Sequence, residues 1–306
     1  MKVLVATEKP FAKVAVDGIK KVIEEAGYEL HLLEKYTSKE QLLDAVKSAD
    51  ALIVRSDKVT DEVLDAAKNL KIVVRAGAGY DNIDLASATK HGVVVENTPG
   101  QNSNAVAELV FGMAVMAARN NYDGTSGTEL KDKAIGIHAF GQVGRNVARI
   151  AKGFGMTVKA LDPYCPEEVI VAAGVVPVKD LDKLYEENQY ISLHIPATDE
   201  TKKSVGYDLV MKMPKNGVLI NTARKEVIDE EGLIRALRER PDLKYVADVR
   251  PDKGDEMVEE FKGRVFFTPK KMGAQTSEAN INAGIAAAKQ IVAFFCDGDK
   301  RFQVNK

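Results

Sequence analysis

The chain has 306 residues, of which 45% are hydrophobic and 29% charged, and this is enough apolar material for one large domain or two ordinary ones. The 43 Lys and Arg residues nearly balance the 45 Asp and Glu residues, so no overall positive field favours nucleic acid or a membrane surface as a partner. Cys165 and Cys296 fit neither a disulfide framework nor a zinc pattern, and we expect buried or incidental thiols in a reducing compartment.

No segment has the pattern of a signal sequence or a membrane span. The apolar run at residues 2–6 is too short for a signal sequence, and the most apolar stretch, residues 106–118, is too short to cross a bilayer. We therefore expect a cytoplasmic protein.

Short β-branched runs alternate with amphipathic helical segments in the first third of the chain. The pattern predicts strands over residues 2–6, 28–33, 51–54, 71–75 and 92–96. Gly27 is expected to end the first helix, Ser38 with Gln41 forms a plausible capping box, and Thr60 suits a helix start. Such alternation implies a parallel sheet that is covered on both faces.

The same alternation begins again after a long helix predicted over residues 102–119. The next strands are predicted over residues 133–139, 157–162, 190–195, 217–221 and 244–249, and a last helix over 276–295. The fold class is therefore α/β, with two doubly wound parallel-sheet domains. The long helix is apolar over most of its circumference, and the sequence leaves open whether the core or a subunit contact buries it.

Residues 135–145 leave a predicted strand and open a predicted helix with the pattern of a G-x-G-x-x-G fingerprint. Ala139 takes the first glycine position. Gly141 would let the backbone approach a pyrophosphate, and Gly144 would let the helix pack closely on the strand. Gln142 and Val143 begin the helix, whose N-terminus supplies N–H donors and a positive dipole. The glycines alone would also suit any tight turn between a strand and a helix.

A carboxylate at the end of the next strand makes the dinucleotide interpretation more specific. Asp162 follows Gly144 by 18 residues. At this position a carboxylate accepts both ribose hydroxyls of NAD and repels the additional phosphate of NADP. The sequence therefore predicts an NAD site. His138 lies within the apolar strand, where we expect a packed core residue.

Several blocks of sequence, spread over nearly the whole chain, resemble one family, the D-isomer-specific 2-hydroxyacid dehydrogenases. These blocks are residues 52–56 (LIVRS), 75–84 (RAGAGYDNID), 97–102 (NTPGQN), 106–108 (VAE), 192–198 (SLHIPAT) and 221–224 (NTAR). The resemblance implies a flavodoxin-like substrate domain, residues 1–98 plus 277–306, and an inserted Rossmann-type NAD domain, residues 99–276. It also implies an active site in the cleft between the domains and a homodimer built on the long helix.

The resemblance also assigns residues to the substrate. Arg224 would bind the substrate carboxylate and the C2 oxygen, a bidentate task that suits a planar guanidinium. Backbone N–H groups of Ala76 and Gly77 would bind the same carboxylate. The positions that hold a substrate phosphate in family members acting on D-3-phosphoglycerate are occupied here by Arg55, Ser56 and Asn102.

Other positions would line the NAD site in the family. They are His194, Pro196, Thr222, Ala223, Asp248 and Gly273. Isolated arginines at strand ends often form only structural ion pairs. We favour the functional interpretation for Arg55 and the structural one for Arg75.

The family's proton-transferring His, and the Glu that holds it, are both missing. The block that should carry the His reads TPKKMGAQT over residues 268–276 and has one extra residue, and Lys253 lies where the Glu is expected. A carboxylate that helps a His would raise the pKa of a lysine, so the two losses are mutually consistent. A lysine base at neutral pH needs its pKa lowered by roughly three units, about 4 kcal/mol. We expect Lys271, or Lys270 as second choice, to transfer the proton; two solvated lysines are the alternative.

The expected reaction is the NAD-dependent oxidation of D-3-phosphoglycerate to 3-phosphohydroxypyruvate, the first step of serine biosynthesis, without a metal. The alternatives are a glyoxylate or hydroxypyruvate reductase, another D-2-hydroxyacid dehydrogenase, or a non-catalytic NAD-responsive binding protein. Because the sequence ends at Lys306, we also expect no C-terminal domain for sensing serine.

Overall fold

A computed structural model describes residues 1–305 and shows strands alternating with helices along the chain. The elements up to residue 102 are β1 (Lys2–Thr7), α1 (Lys13–Glu25), β2 (Glu29–Glu34), α2 (Lys39–Val46), β3 (Ala51–Val54), α3 (Asp61–Ala66), β4 (Ile72–Arg75), α4 (Leu85–Lys90) and β5 (Val94–Asn97).

The remaining elements follow the same alternation. They are α5 (Ser103–Ala118), β6 (Ala134–His138), α6 (Gln142–Gly153), β7 (Thr157–Leu161), α7 (Glu167–Ala172), β8 (Val176–Pro177), α8 (Leu181–Glu186), β9 (Tyr190–Leu193), α9 (Tyr207–Lys212), β10 (Val218–Asn221), α10 (Glu230–Glu239), β11 (Lys244–Ala247), α11 (Gly254–Glu260), β12 (Val265–Phe267) and α12 (Ser277–Asp297). Short 3₁₀ turns lie at Asn120–Tyr122 and Lys225–Val227.

The chain divides into two compact units. The first contains Met1–Asn102 and Gln275–Lys306, and the second contains Ser103–Ala274. The unit boundaries therefore lie at 102/103 and 274/275, where the sequence placed them at 98/99 and 276/277.

The first unit is a parallel sheet of order β2-β1-β3-β4-β5. Alternate residues of its buried strands face two separate cores. Leu52 and Val54 of β3 point to one core, and Ala51 and Ile53 to the other, because successive side chains of a strand lie on opposite faces. The predicted covering of both faces is confirmed.

Helix α12 covers one face of this first sheet. By length and composition alone, α12 is long and apolar enough to cross a membrane. Its Ala287, Ala288 and Ile291 are fully buried in the core of the first unit, together with residues of α1, β3 and β4. Helix α12 is the last helix that the sequence predicted over residues 276–295.

The second unit is a parallel sheet of order β12-β11-β10-β9-β6-β7-β8, and the strand order reverses between β6 and β9. Ligands of open α/β sheets bind beyond the carboxyl ends of the strands at such a reversal. Helix α5 is buried mainly in this unit: Val110, Phe111 and Ala114 belong to the same core as Ile135 and Ile137 of β6. Burial in the core accounts for the apolar character of these residues.

The two free thiols differ from part of the expectation. Cys165 is half-buried and Cys296 is exposed, where a hydrogen-bond contact of 3.5 Å joins its Sγ to the Tyr28 hydroxyl. Of the two states expected from the sequence, buried or incidental, burial does not describe Cys296.

Candidate active site

The turn after β6 has the geometry of a dinucleotide-binding loop. Ala139 adopts a left-handed φ of 82°, which explains why glycine is favoured at this position. A Cβ on Gly144 would lie 2.4 Å from the Ala139 carbonyl oxygen, so packing within the turn requires glycine there. A Cβ on Gly141 would meet nothing within 4 Å. The open space at Gly141, the N-cap residue of α6, is therefore available to a ligand.

Asp162 joins this turn to the end of β7. Its Oδ2 accepts a hydrogen bond from the Phe140 backbone N–H at 2.7 Å, and its Oδ1 accepts one from the Tyr164 N–H at 2.9 Å. A carboxylate has about four lone-pair sites, so acceptor capacity remains for two hydroxyl groups. The exposed Gln142 and half-buried Val143 begin α6. This cradle fits NAD, with the pyrophosphate at Gly141 and the ribose at Asp162.

The two histidines near this turn are both neutral at physiological pH. Burial lowers the pKa of His138 to about 4, and its Nδ1 lies 3.3 Å from the buried Tyr185 hydroxyl. Burial and the neighbouring His138 lower the pKa of His194 to about 3. His138 is the packed core residue that was expected. His194 follows β9 at the strand-order reversal and hydrogen-bonds the Ser192 hydroxyl at 2.9 Å, and Pro196 beyond it is exposed.

A buried asparagine shapes the turn after β10. The Asn221 side chain is fully buried; its Nδ2 donates to the Arg224 carbonyl at 3.0 Å, and its Oδ1 accepts from the Ala223 N–H at 2.9 Å. No role was predicted for Asn221 from the sequence, although a polar residue that ends an apolar strand is a usable signal of a structural or binding role. The Thr222 hydroxyl is buried and has no hydrogen-bond partner among the described residues, so it is open to a ligand.

Two cationic side chains meet at one carbonyl oxygen in this turn. The Ala223 oxygen accepts a hydrogen bond from Arg224 Nη1 at 3.0 Å and from Lys271 Nζ at 3.2 Å. Both side chains are exposed. Lys270 is exposed as well, and within residues 1–305 it forms no hydrogen bond or ion pair. The structure thus brings Lys271, and not Lys270, beside Arg224.

The loop that carries Lys271 is attached to the end of β11. Asp248 is fully buried, and its carboxylate accepts hydrogen bonds from the backbone N–H groups of Met272 and Gly273, both at 2.7 Å. It also accepts one from the Thr268 hydroxyl at 3.0 Å. Asp248 and Gly273 were predicted to line the NAD site; in this structure their polar groups bind each other.

Lys253 occupies the position at which the family's Glu is expected. Lys253 forms an ion pair with Glu231, and its backbone N–H donates to Glu230 at 2.8 Å. This ion pair raises the pKa of Lys253. Lys253 is therefore a charged surface residue.

The predicted phosphate-binding residues lie at the carboxyl ends of strands in the first unit. After β3, the Arg55 guanidinium donates to the carbonyls of Lys9 (2.8 Å) and Pro10 (3.0 Å) and to Asn280 Oδ1 (2.8 Å). Burial lowers its pKa. Ser56 is exposed and Asn102 is half-buried.

Two expectations for the first unit need correction. The backbone N–H of Ala76 donates to the Val54 carbonyl at 2.9 Å and that of Gly77 to the Arg75 carbonyl at 2.8 Å, so neither is a free donor in this structure. The turn after β4 consumes both groups. Among the described residues neither Arg55 nor Arg75 forms an ion pair: Arg75 Nε donates to the Arg55 carbonyl at 2.9 Å.

Comparisons with known proteins agree with this geometry. Residues 105–269 match the model of the NAD-binding domain of D-isomer specific 2-hydroxyacid dehydrogenases. The chain is 38% identical over 288 residues to the D-3-phosphoglycerate dehydrogenase of Methanocaldococcus jannaschii, covering 89% of this chain and 54% of that protein. It is 35% identical to the hydroxypyruvate reductase of Thermotoga maritima, covering 86% of this chain and 90% of that one.

A solved structure matches over the whole chain. It is an NAD⁺-bound 3-phosphoglycerate dehydrogenase from Entamoeba histolytica, 52% identical, with a TM-score of 0.85 and coverage of 100% of this chain and 99% of that one. The chain spans about half the length of the M. jannaschii relative. By these matches, the chain belongs to the NAD-dependent D-isomer-specific 2-hydroxyacid dehydrogenases.

Proposed function

We propose that the protein oxidises D-3-phosphoglycerate to 3-phosphohydroxypyruvate with NAD, the first step of serine biosynthesis. The observation that carries this proposal is the meeting of Arg224 and Lys271 at the Ala223 carbonyl, because it joins a carboxylate-binding group to a proton-transferring group. The names of the M. jannaschii and E. histolytica relatives support the choice of substrate.

The residues of the chain divide the reaction between them. Arg224 binds the substrate carboxylate and the C2 oxygen, and its charge stabilises the oxygen while the alcohol loses its proton. A bound NAD would supply the acceptor for the hydride of C2. Lys271 takes the hydroxyl proton as neutral amine and returns it as ammonium in the reverse reaction.

The cofactor is held by residues of the second unit. Gly141, Gln142 and Val143 bind the pyrophosphate, Asp162 binds the ribose, and the open Thr222 hydroxyl, with Ala223, His194 and Pro196, lines the nicotinamide and adenine sides. Arg55, Ser56 and Asn102 bind the phosphate of the substrate. Arg55 uses three of its about five N–H donors within its own unit, which leaves donors for a phosphate oxygen.

We further propose that the protein acts as a cytoplasmic homodimer. The family resemblance supports the dimer. Light scattering of the purified protein tests it: twice the 33.3 kDa chain mass is expected, and a monomeric mass contradicts it.

The second candidate is reduction of hydroxypyruvate or glyoxylate. It is favoured by the T. maritima relative, of which the chain covers nearly the whole length. The two activities differ in the need for a phosphate-binding residue, so an Arg55 variant distinguishes them.

The test follows NADH absorbance with phosphohydroxypyruvate, hydroxypyruvate, glyoxylate and pyruvate in parallel, for the wild type and Arg55→Gln. We expect phosphohydroxypyruvate to have the highest kcat/KM. Arg55→Gln should lower that value by about tenfold to a hundredfold, since it loses a charge-assisted hydrogen bond, and change the glyoxylate value little. Equal kcat/KM with and without phosphate would favour the reductase. NAD binding without turnover of any acid would indicate a binding protein.

A further inference from the structure

Two arginines lie side by side at the carboxyl ends of β3 and β4. Arg55 directly follows β3, Arg75 ends β4, and Arg75 Nε donates a hydrogen bond to the Arg55 carbonyl at 2.9 Å. Both side chains are half-buried, and within residues 1–305 neither forms an ion pair. Two partly desolvated cations next to each other are unfavourable unless an anion joins them.

The carboxylates near this pair do not neutralise it. Asp57 is buried, and its oxygens accept hydrogen bonds from two backbone N–H groups and from the Tyr36 hydroxyl. Asp81 is exposed. Burial lowers the pKa of Arg55, and Asp57 opposes this shift. Burial and the charge of Arg55 together lower the pKa of Arg75, against the opposing effect of Asp81.

Arg75 has several hydrogen-bond donors to offer. A guanidinium carries five N–H donors, and within residues 1–305 the Arg75 side chain uses only the one on Nε. A Cβ on Gly77 would lie 1.6 Å from Arg75 Nη1, so glycine at this position makes room for the guanidinium. The backbone N–H groups of Ala76 and Gly77 are already hydrogen-bonded. Arg75, and not these two backbone groups, can therefore donate to an anion.

The charge of the pair indicates which anion it binds. A phosphate monoester carries about two negative charges at neutral pH and can accept from two guanidiniums at once. A carboxylate carries a single charge, and in the proposed function Arg224 already binds the carboxylate of the substrate. An acid without a phosphate would leave the charge of Arg75 uncompensated.

We propose that Arg75 is a specificity-determining residue that binds the phosphate of the substrate together with Arg55. This inference rests on the function proposed above and gives its substrate class, a phosphorylated 2-hydroxy acid. Arg55 is held by its hydrogen bonds to two backbone carbonyls and to Asn280, and Arg75 supplies the additional donors. Arg75 thus has more than the structural role that the sequence favoured.

Arg75→Gln tests this role by removing the charge. We expect kcat/KM for phosphohydroxypyruvate to fall about tenfold to a hundredfold, because charge-assisted hydrogen bonds to the phosphate are lost. For hydroxypyruvate, kcat/KM should stay within about threefold of the wild-type value. The ratio of the two kcat/KM values is the quantity to compare, since a structural fault would lower both alike.

Arg264→Gln is the matched control. Arg264 is also half-buried and, within residues 1–305, also lacks an ion pair; its Nη1 donates to the Leu237 carbonyl at 2.9 Å. Burial lowers its pKa, as it does for Arg75. We expect the ratio of the two kcat/KM values to remain that of the wild type.

Two results in Arg75→Gln would overturn the proposal. An equal loss of kcat/KM for both substrates would mean that Arg75 supports the fold or binds the carboxylate that both substrates carry. An unchanged kcat/KM for phosphohydroxypyruvate would mean that Arg75 does not bind the phosphate.

Arg75→Lys keeps the test decisive where Arg75→Gln does not fold. A lysine retains the charge but lacks the planar fork, so we expect the ratio of kcat/KM values to fall severalfold. An unchanged ratio in this variant would contradict the proposed contact.

Binding of inorganic phosphate gives a measurement that needs no turnover. With NAD at saturation and ionic strength held constant, phosphate should raise the unfolding temperature of the wild type more than that of Arg75→Gln. An equal rise in both proteins, or none in the wild type, would overturn the proposal. If the wild type uses hydroxypyruvate as well as phosphohydroxypyruvate, the proposed function fails, while phosphate binding still reports whether Arg75 binds this anion.

Discussion

The carbonyl oxygen of Ala223 is the point in the second unit at which the two proposed catalytic side chains meet. Arg224 and Lys271 lie 47 positions apart in sequence, and both hydrogen-bond this one acceptor. Arg224 is placed by the turn that Asn221 holds, and Lys271 by the loop that Asp248 holds. A buried polar residue at the end of a strand thus hydrogen-bonds the backbone at or next to each proposed catalytic residue.

Arg224→Lys should retain the charge but lose the planar fork of the guanidinium. Because bidentate binding of a carboxylate and the C2 oxygen needs that fork, we expect kcat/KM to fall about a hundredfold to a thousandfold, with unchanged NAD affinity. Steady-state kinetics and NAD titration measure both. Arg238→Lys, which alters an exposed ion pair with Glu260, is the control and should behave as the wild type. Near-wild-type kcat/KM in Arg224→Lys contradicts the assignment.

Side-chain chemistry was easier to predict at this scale than hydrogen-bond partners. The burial of His138 followed from its place in an apolar strand. The sequence favoured Lys271 over Lys270 without excluding either, because the extra residue in the block allows both alignments. The path of the loop over residues 268–273 brings Lys271 to the Ala223 carbonyl. The N–H groups of Ala76 and Gly77 were expected to be free, but both are hydrogen-bonded within the structure, because the local turn decides which backbone groups are already bonded.

Two glycines lie at the start of α6, the N-cap residue Gly141 and Gly144, and they are there for different physical reasons. Gly144 is required by the Ala139 carbonyl, which a Cβ would approach to 2.4 Å. Gly141 has a negative φ of −72° and free space around the position of a Cβ, so the protein itself does not require glycine there. We therefore expect a bound cofactor, and not the fold, to require glycine at this position.

Replacing each glycine by alanine should therefore separate folding from binding. Gly141→Ala should unfold at the wild-type temperature and bind NAD about tenfold to a hundredfold more weakly, because the methyl group displaces the pyrophosphate from its N–H donors. Gly144→Ala should lose about 1–3 kcal/mol of stability through overpacking. Thermal unfolding and NAD titration of both variants measure these effects. A destabilised Gly141→Ala, or one with unchanged NAD affinity, contradicts this explanation.

Strands with several buried β-branched residues were predicted within one or two residues, as for β3, which matches its predicted bounds. The sequence missed β8 and β12, of two and three residues, because runs that short carry no measurable period. Their pairing depends on the neighbouring strands β7 and β11, which single-segment reasoning does not see.

The stability of the whole chain should depend on pH through Glu96 of edge strand β5. The side chain is 2% exposed, and burial, together with the nearby Asp299, raises its pKa to about 7. Arg301 opposes this shift. The segment after α12 covers this edge: the Val304 N–H donates to the Val95 carbonyl at 2.9 Å, and Glu96 bridges Gln303. A buried carboxyl group therefore lies beneath a short antiparallel pairing.

Glu96→Gln should remove this pH dependence. The folded-state pKa lies above the ordinary value of 4.5, so between pH 4.5 and about 7 the folded state binds more protons than the unfolded state, and the free energy of unfolding falls as pH rises. We expect the variant to match the wild type at pH 5 and to be more stable at pH 8. Urea unfolding at both pH values measures the difference. Glu34→Gln, at an exposed position at the end of β2, is the control and should show no such pH-dependent gain in stability. If Glu96→Gln is no more stable than the wild type at pH 8, the argument is contradicted.

The most direct measurement compares Lys271→Ala with Lys270→Ala in NAD reduction by D-3-phosphoglycerate, with NAD binding titrated in both. We predict that Lys271→Ala lowers kcat by about a hundredfold to ten-thousandfold, the usual contribution of a general base, and binds NAD as the wild type does. Lys270→Ala should keep wild-type kcat. If Lys271→Ala turns over at the wild-type rate, or if Lys270→Ala alone loses activity, the proton is not transferred by the residue that meets Arg224 at Ala223.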